Sequence, residues 1–245
     1  MKHSKIACML LYAAIPFYCI SCGGGGGEKQ TSADSTAADT TRVAVTPKVT
    51  TITTPENMMV ATHKVSNYAK WLASYDAHDS LRLVNGLHSF VIGRGAKDSN
   101  TVMVGVKVDD MAKAKAFAKS PGLKQAMQKS GVIGAPSFAF VTLVFQDTGA
   151  IPSDLRSRTM FTVKDWNAWQ TSFQEGEQER KENGITVRAI GHDVDNDKKV
   201  VLVTAIMDTA KAYAWWKSDM LKKRRAASGV IDEPQRFLYR VAKRY

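Results

Sequence analysis

Imidazoles are the side chains of this 245-residue chain best suited to moving a proton, and there are five: His3, His63, His78, His88 and His192. An imidazole titrates near neutrality, so it can serve as a general base or hold a haem iron. His63 stands two residues before Val65, so on a strand the two share a face. Tyr75, His78 and Arg82 follow at spacings of three and four, which is one face of a helix. A pocket using His63, Tyr75, His78 and Arg82 is therefore geometrically conceivable, with His63, Tyr75 and His78 as the candidate catalytic groups. Trp71, Arg82, Trp169, Arg180 and His192 are candidate ligand contacts, since an indole stacks on flat molecules and a guanidinium clamps anions. Each also has a structural reading. The tryptophans lie on apolar stripes and can fill core, the arginines sit near helix ends where a cation complements the dipole, and the imidazoles can be surface or satisfied-core groups. All three cysteines (Cys8, Cys19, Cys22) fall in the first 22 residues, so the rest of the chain has no disulfide, thiol nucleophile or cysteine-held metal. No His-x-x-x-His, His-Glu-x-x-His, phosphate-binding loop or Gly-x-Ser-x-Gly elbow is present, and no metal site is expected.

The elements that must position these groups come twice. Residues 63–145 align with 161–243 at a constant offset of 98, without a gap, and 23 of the 83 pairs are identical. Trp71 falls on Trp169, Arg82 on Arg180, Gly86 on Gly184 and Gly93 on Gly191. Asp110 falls on Asp208, and Ser130-Gly131-Val132-Ile133 on Ser228-Gly229-Val230-Ile231. The histidines are not doubled: His63 aligns with Phe161, His78 with Gly176, His88 with Thr186 and His192 with Arg94. Any histidine chemistry would thus reside in one half.

Within a half, 59–65 reads as a strand and 68–85 as a helix stopped by Gly86, glycine being favoured just past a helix end. A strand over 87–94, a turn at 97–100 and the alternating Val102, Val104, Val106 and Val108 make a hairpin. Asp110 caps a helix with Ala114 and Phe117 inward, Pro121 opens a further helical stretch, and 136–145 is the closing strand. The second half repeats the order, with Trp166, Trp169 and Phe173 on one helix face, Trp215 inward, and Trp216 beside it as a possible exposed partner contact. The order β-α-β-β-α-β, twice, predicts an α+β fold of two ferredoxin-like units, each with an apolar sheet face that needs covering. Domain bounds read as 57–146 and 158–245, joined by a linker over 147–157 that holds Gly149 and Pro152.

This pattern resembles the dimeric α/β-barrel superfamily, including antibiotic-biosynthesis-monooxygenase-like and stress-responsive barrel proteins. The resemblance rests on His63–Val65, Tyr68–Gly86 and Gly131–Pro136 and spans both halves. It implies that the two sheets pack on each other as a single-chain barrel, with the barrel partner supplied within the chain. It also implies small ligands in a cleft between sheet and helices of each half, lined by the first helix and the first and third strands.

The N-terminus reads differently. Lys2 and Lys5 precede an apolar run, Ile6 to Ile20, that ends at Cys22-Gly23. This resembles a bacterial lipoprotein signal, although Cys19 stands where Leu, Val or Ile is usual. The resemblance implies a lipidated Cys22 and, since no Asp follows it, the outer membrane of the cell envelope, facing periplasm or cell surface. An ordinary signal peptide or a retained short anchor is the other reading. Residues 23–56, opening with five glycines, are too polar to form a core and read as a flexible tether. Formal net charge is +11, concentrated near the C-terminus around Lys222-Lys223-Arg224-Arg225. For an exported protein, anionic lipid or lipopolysaccharide is the expected partner and nucleic acid is not. Together these features predict a lipid-anchored, non-catalytic module binding a small molecule or an envelope partner. The alternative is a cofactor-independent monooxygenase-like enzyme for an aromatic or quinol-type substrate. No cofactor is expected in either case, with haem the remote exception.

Overall fold

A computed structural model describes residues 54–245. The expected signal sequence, Cys22 and most of the expected tether lie outside the described residues. The first repeat runs β1 (Glu56–Val65), α1 (Tyr68–Ala77), α2 (Asp79–Leu83), β2 (Leu87–Gly95), β3 (Thr101–Val108), α3 (Met111–Ala118), α4 (Pro121–Lys129) and β4 (Val132–Gln146). The second runs β5 (Leu155–Thr162), α5 (Trp166–Glu175), α6 (Glu177–Glu182), β6 (Ile185–Asp193), β7 (Asn196–Ile206), α7 (Thr209–Lys217), α8 (Asp219–Ala227) and β8 (Gln235–Arg244). The strands close in the order β1-β3-β2-β8-β5-β7-β6-β4, with every pairing antiparallel.

Each half is the expected β-α-β-β-α-β unit. The halves meet edge to edge, by main-chain ladders β2–β8 and β4–β6, as well as face to face. Closure leaves no unpaired sheet edge among the described residues, which is how barrels avoid edge-on association. The inner faces make a core of Met58, Val141, Leu143, Ala189 and Val201, with Phe90, Met160 and Val203 against it. Toward β8 the same interior turns polar: Arg156 is cross-strand partner to Tyr239, and both are buried. Gly93 lies beside that tyrosine, where any larger side chain would run into the ring.

The local chemistry is duplicated with the sequence. Asn67 and Asp165 cap α1 and α5, Asp110 and Asp208 cap α3 and α7, and Ser120 and Ser218 cap α4 and α8, each side-chain oxygen accepting from a backbone N–H of the first turn. Gly86 and Gly184 take φ of 64° and 68°, left-handed values that only glycine adopts without strain.

Two expectations change. The single helix expected over 68–85 is broken at His78, and its counterpart at Gly176. The reason is a guanidinium: Arg82 Nη1 donates to the Tyr75 carbonyl at 2.7 Å, and Arg180 Nη1 to the Phe173 carbonyl at 2.6 Å. Each of those carbonyls accepts the guanidinium together with a tight i+3 bond, from the His78 N–H and the Gly176 N–H at 3.2 Å, in place of the i+4 bond that would continue the helix. The 147–157 segment is also more ordered in role than a linker. Its last three residues belong to β5, and buried arginines hold the rest: Arg188 donates to Asp147 at 2.7 Å and to the Gly149 carbonyl, and Arg156 to the Ser153 carbonyl.

Candidate functional site

Between helices and sheet each half has a cleft, and the two clefts occupy matching positions. The first is a cavity of about 90 Å³. A buried water needs about 10–15 Å³ on such a measure, so there is room for several. Its floor is Met59, Ala61 and His63 of β1 with Val104 and Val106 of β3, and α1 contributes Trp71, Ser74 and Tyr75. Phe117, Leu123, Met127 and Phe138 close it from α3, α4 and β4. His78 and Leu81 stand at its exposed mouth.

Within this cleft His63 departs from what packing alone requires. Its side chain is 5 % exposed, and neither ring nitrogen has a hydrogen-bond partner among the described residues. Burial pushes its pKa down to about 4, so the ring is neutral at pH 7. Its ring lies 5.4 Å from that of Trp71, tilted by 58°. At the matching place in the second half Phe161 meets Trp169 at the same 5.4 Å and 64°. A benzene ring therefore serves the packing equally well, and the imidazole adds only two polar atoms in an apolar cleft. Such atoms cost free energy when left without partners.

The other residues singled out by sequence divide. Trp71 and Trp169 are each 2 % exposed and stack on Tyr75 and Phe173, at 5.3 and 5.0 Å, so they are core that also walls the clefts. Arg82 covers the Tyr75 ring at 3.7 Å and donates to Ser89 Oγ at 3.1 Å and to Asp79 at 2.9 Å. The Tyr75 hydroxyl shares Ser89 Oγ at 2.9 Å, and burial raises its pKa. With all of these contacts internal, Arg82 holds the helix break. His78 is exposed, its Nδ1 2.6 Å from the Ser74 carbonyl. His192 packs on Trp166 at 4.9 Å and is not among the residues lining the second cleft.

The second cleft has the same volume, about 90 Å³. Its floor is Thr159, Phe161, Leu202 and Thr204, and its walls include Trp169, Phe173, Trp215 and Trp216. Trp216 is half-buried, with the Arg236 guanidinium 3.9 Å above its ring, where the sequence suggested an exposed contact. Arg224 and Arg225, read from the sequence as part of the C-terminal basic cluster, line this cleft together with Arg180 and Arg236. Among the described residues no group of three or more His, Cys, Asp or Glu is placed to hold a metal ion.

By sequence, no family model and no curated protein matches the chain. By structure it is similar to a candidate monooxygenase from Fusobacterium nucleatum subsp. nucleatum, at 14 % identity and TM-score 0.51, over 78 % of this chain and 94 % of that one. It is also similar to an anthrone oxidase-like protein, at 11 % identity and TM-score 0.51, over 79 % and 95 %. A candidate chlorite dismutase matches at 13 % identity and TM-score 0.50, over 77 % and 95 %. The fold is the dimeric α/β barrel, closed within one chain.

In this barrel the expected lining elements, first helix and first and third strands, supply only part of each cleft. α3, α4 and β4, with their counterparts α7, α8 and β8, supply most of the remainder. The signal for the missed arginines lay in the repeat: at offset 98, Arg224, Arg225 and Arg236 replace Ala126, Met127 and Phe138.

Proposed function

We propose that the first cleft binds a flat aromatic ligand through a hydroxyl or carbonyl that meets His63, and that the barrel acts there as a binding module. His63 carries this reading: a buried neutral imidazole with no hydrogen-bond partner among the described residues, at a position where the sister repeat does with phenylalanine. The setting also supports it, since small-molecule sites are mostly apolar with a few placed polar groups. Binding is favoured over base catalysis by magnitude. A phenol with a pKa of about 10 would give its proton to an imidazole near 4 only at a cost of roughly 8 kcal/mol.

Cofactor-independent oxygenation is the second reading, favoured by the same buried imidazole on the floor of an apolar cleft. Here His63 would take a proton from an activated methylene or phenol. Dioxygen would then accept the electrons, one of its atoms entering the substrate as a carbonyl oxygen and the other leaving as water with both hydrogens. Were haem to bind, His63, set inside the first cleft, is the residue that would hold it, and the haem would supply redox chemistry there; a Soret band on haem titration tests this.

Tryptophan fluorescence titration with 1-naphthol and with naphthalene tests the first reading. Wild type is expected to prefer the naphthol by about tenfold, one hydrogen bond's worth, and His63→Ala to lose that preference. Equal preference in the two proteins would sink it. Oxygen uptake with the naphthol that disappears in His63→Ala would establish the enzyme reading instead.

We further propose that the module works at a membrane of the cell envelope, held by a lipid on Cys22. The basic start, the apolar run and the Cys22-Gly23 junction support this. In a bacterial host, labelled palmitate is expected to enter the full-length chain and not its Cys22→Ser variant. Equal labelling, or none in either, counts against the anchor. Exposed C-terminal cations such as Lys222 would then face anionic headgroups or lipopolysaccharide.

A further inference from the structure

We infer that the second cleft is a separate site for an anion carried on a flat apolar body, an aromatic carboxylate. Four guanidinium groups, Arg180, Arg224, Arg225 and Arg236, border one cavity whose walls are Trp169, Phe173, Trp215 and Trp216. Arg180 lies over the Phe173 ring at 3.7 Å and Arg236 over Trp216 at 3.9 Å, so both are held flat against the aromatic wall. The Nε atoms of both are buried and have no hydrogen-bond partner among the described residues.

The acids around them do not balance this charge. Glu179 pairs with Arg224 Nε at 2.7 Å. Glu233 acts on Arg225 and Arg236, and Glu177 on Arg180, though Glu177 is itself paired with Lys181 at 2.6 Å. Burial pushes the pKa values of Arg180 and Arg236 down to about 10, with the Arg224 and Arg225 charges lowering them further. Arg180 and Arg236 nevertheless remain cations at pH 7.

The first repeat is an internal control. At the matching positions it places Ala126, Met127 and Phe138 around the corresponding cleft, and Leu81 in place of Glu179. The fold therefore needs none of Arg224, Arg225 or Arg236. Gathering like charges at a half-buried site opposes folding unless something answers them, and a carboxylate answers guanidinium forks with paired hydrogen bonds. The aromatic walls ask for a planar body attached to it. The two clefts of one barrel have thus diverged: His63 suits a neutral hydroxyl or carbonyl, and the arginines suit a negative charge.

Calorimetric titration of the described barrel within the full chain, with 2-naphthoate, 2-naphthamide and inorganic phosphate, tests this. Naphthoate is expected to bind at least about tenfold more tightly than the isosteric amide and than phosphate. Arg236→Phe and the pair Arg224→Ala with Arg225→Met install residues the sister repeat already tolerates. Each should weaken naphthoate by about tenfold while thermal unfolding shows the fold retained. His63→Ala should leave naphthoate binding unchanged, which separates this site from the first. Equal binding of amide and carboxylate, phosphate binding as tightly as naphthoate, no binding of naphthoate, or loss of binding in His63→Ala alone would each overturn the inference.

Discussion

His63→Phe is expected to make the protein more stable, by about 1–3 kcal/mol near pH 7, while removing the hydroxyl preference of the first cleft. The substitution installs the ring that Phe161 already presents to Trp169, and it removes two buried nitrogens that have no partner among the described residues. The gain should widen in acid. The folded-state pKa of His63 is depressed, to about 4 from 6.5, so between those values the unfolded chain binds the proton that the folded chain excludes. Stability contributed by the neutral ring is therefore complete above pH 6.5 and falls as pH drops toward 4, by roughly 3 kcal/mol in all. The phenylalanine variant lacks this loss. Carboxylates such as Asp76, held below the usual range by Lys243 and Tyr245, lose their contribution at still lower pH and do so alike in both proteins. Urea denaturation of both proteins at pH 7 and pH 4.5 measures the effect. A variant less stable at pH 7, or curves that stay parallel with pH, would show that His63 is a satisfied structural residue.

Trp169→Ala is expected to cost about 3–5 kcal/mol, as removal of a buried indole does. Trp169 is 2 % exposed and touches three other aromatic rings, Phe161, Trp166 and Phe173, at 5.4, 5.4 and 5.0 Å. For a domain of this size each kcal/mol moves the midpoint by about 2–4 °C. The form of the transition is as informative as its shift. Because β2–β8 and β4–β6 ladders run between the repeats, damage in the second half should lower one common transition, monitored by circular dichroism and by calorimetry. Two separate transitions, with the first half melting as in wild type, would contradict a barrel stabilised as a unit.

Much of this protein follows from its sequence. The offset of 98 established the duplication, and periodicity of two and of three to four gave each element its type and its inward face. These are local properties: which side of a strand or helix is apolar depends on near neighbours in the chain. The same locality placed His63, Trp71, Tyr75 and His78 around the first cleft, since they lie on one strand and the helix that follows it. The break at His78 was not legible, because it depends on a guanidinium reaching back seven residues to the Tyr75 carbonyl. Nor was it legible that Phe117, Leu123, Met127 and Phe138 complete the first cleft, or that Arg224, Arg225 and Arg236 turn inward to line the second. Those placements require α3, α4 and β4, and their counterparts in the second repeat, to fold back over the first strand. Periodicity says which face an element buries. Only the closed barrel decides what that face meets, and so whether a charged helix such as α8 points its arginines at solvent or into a cleft.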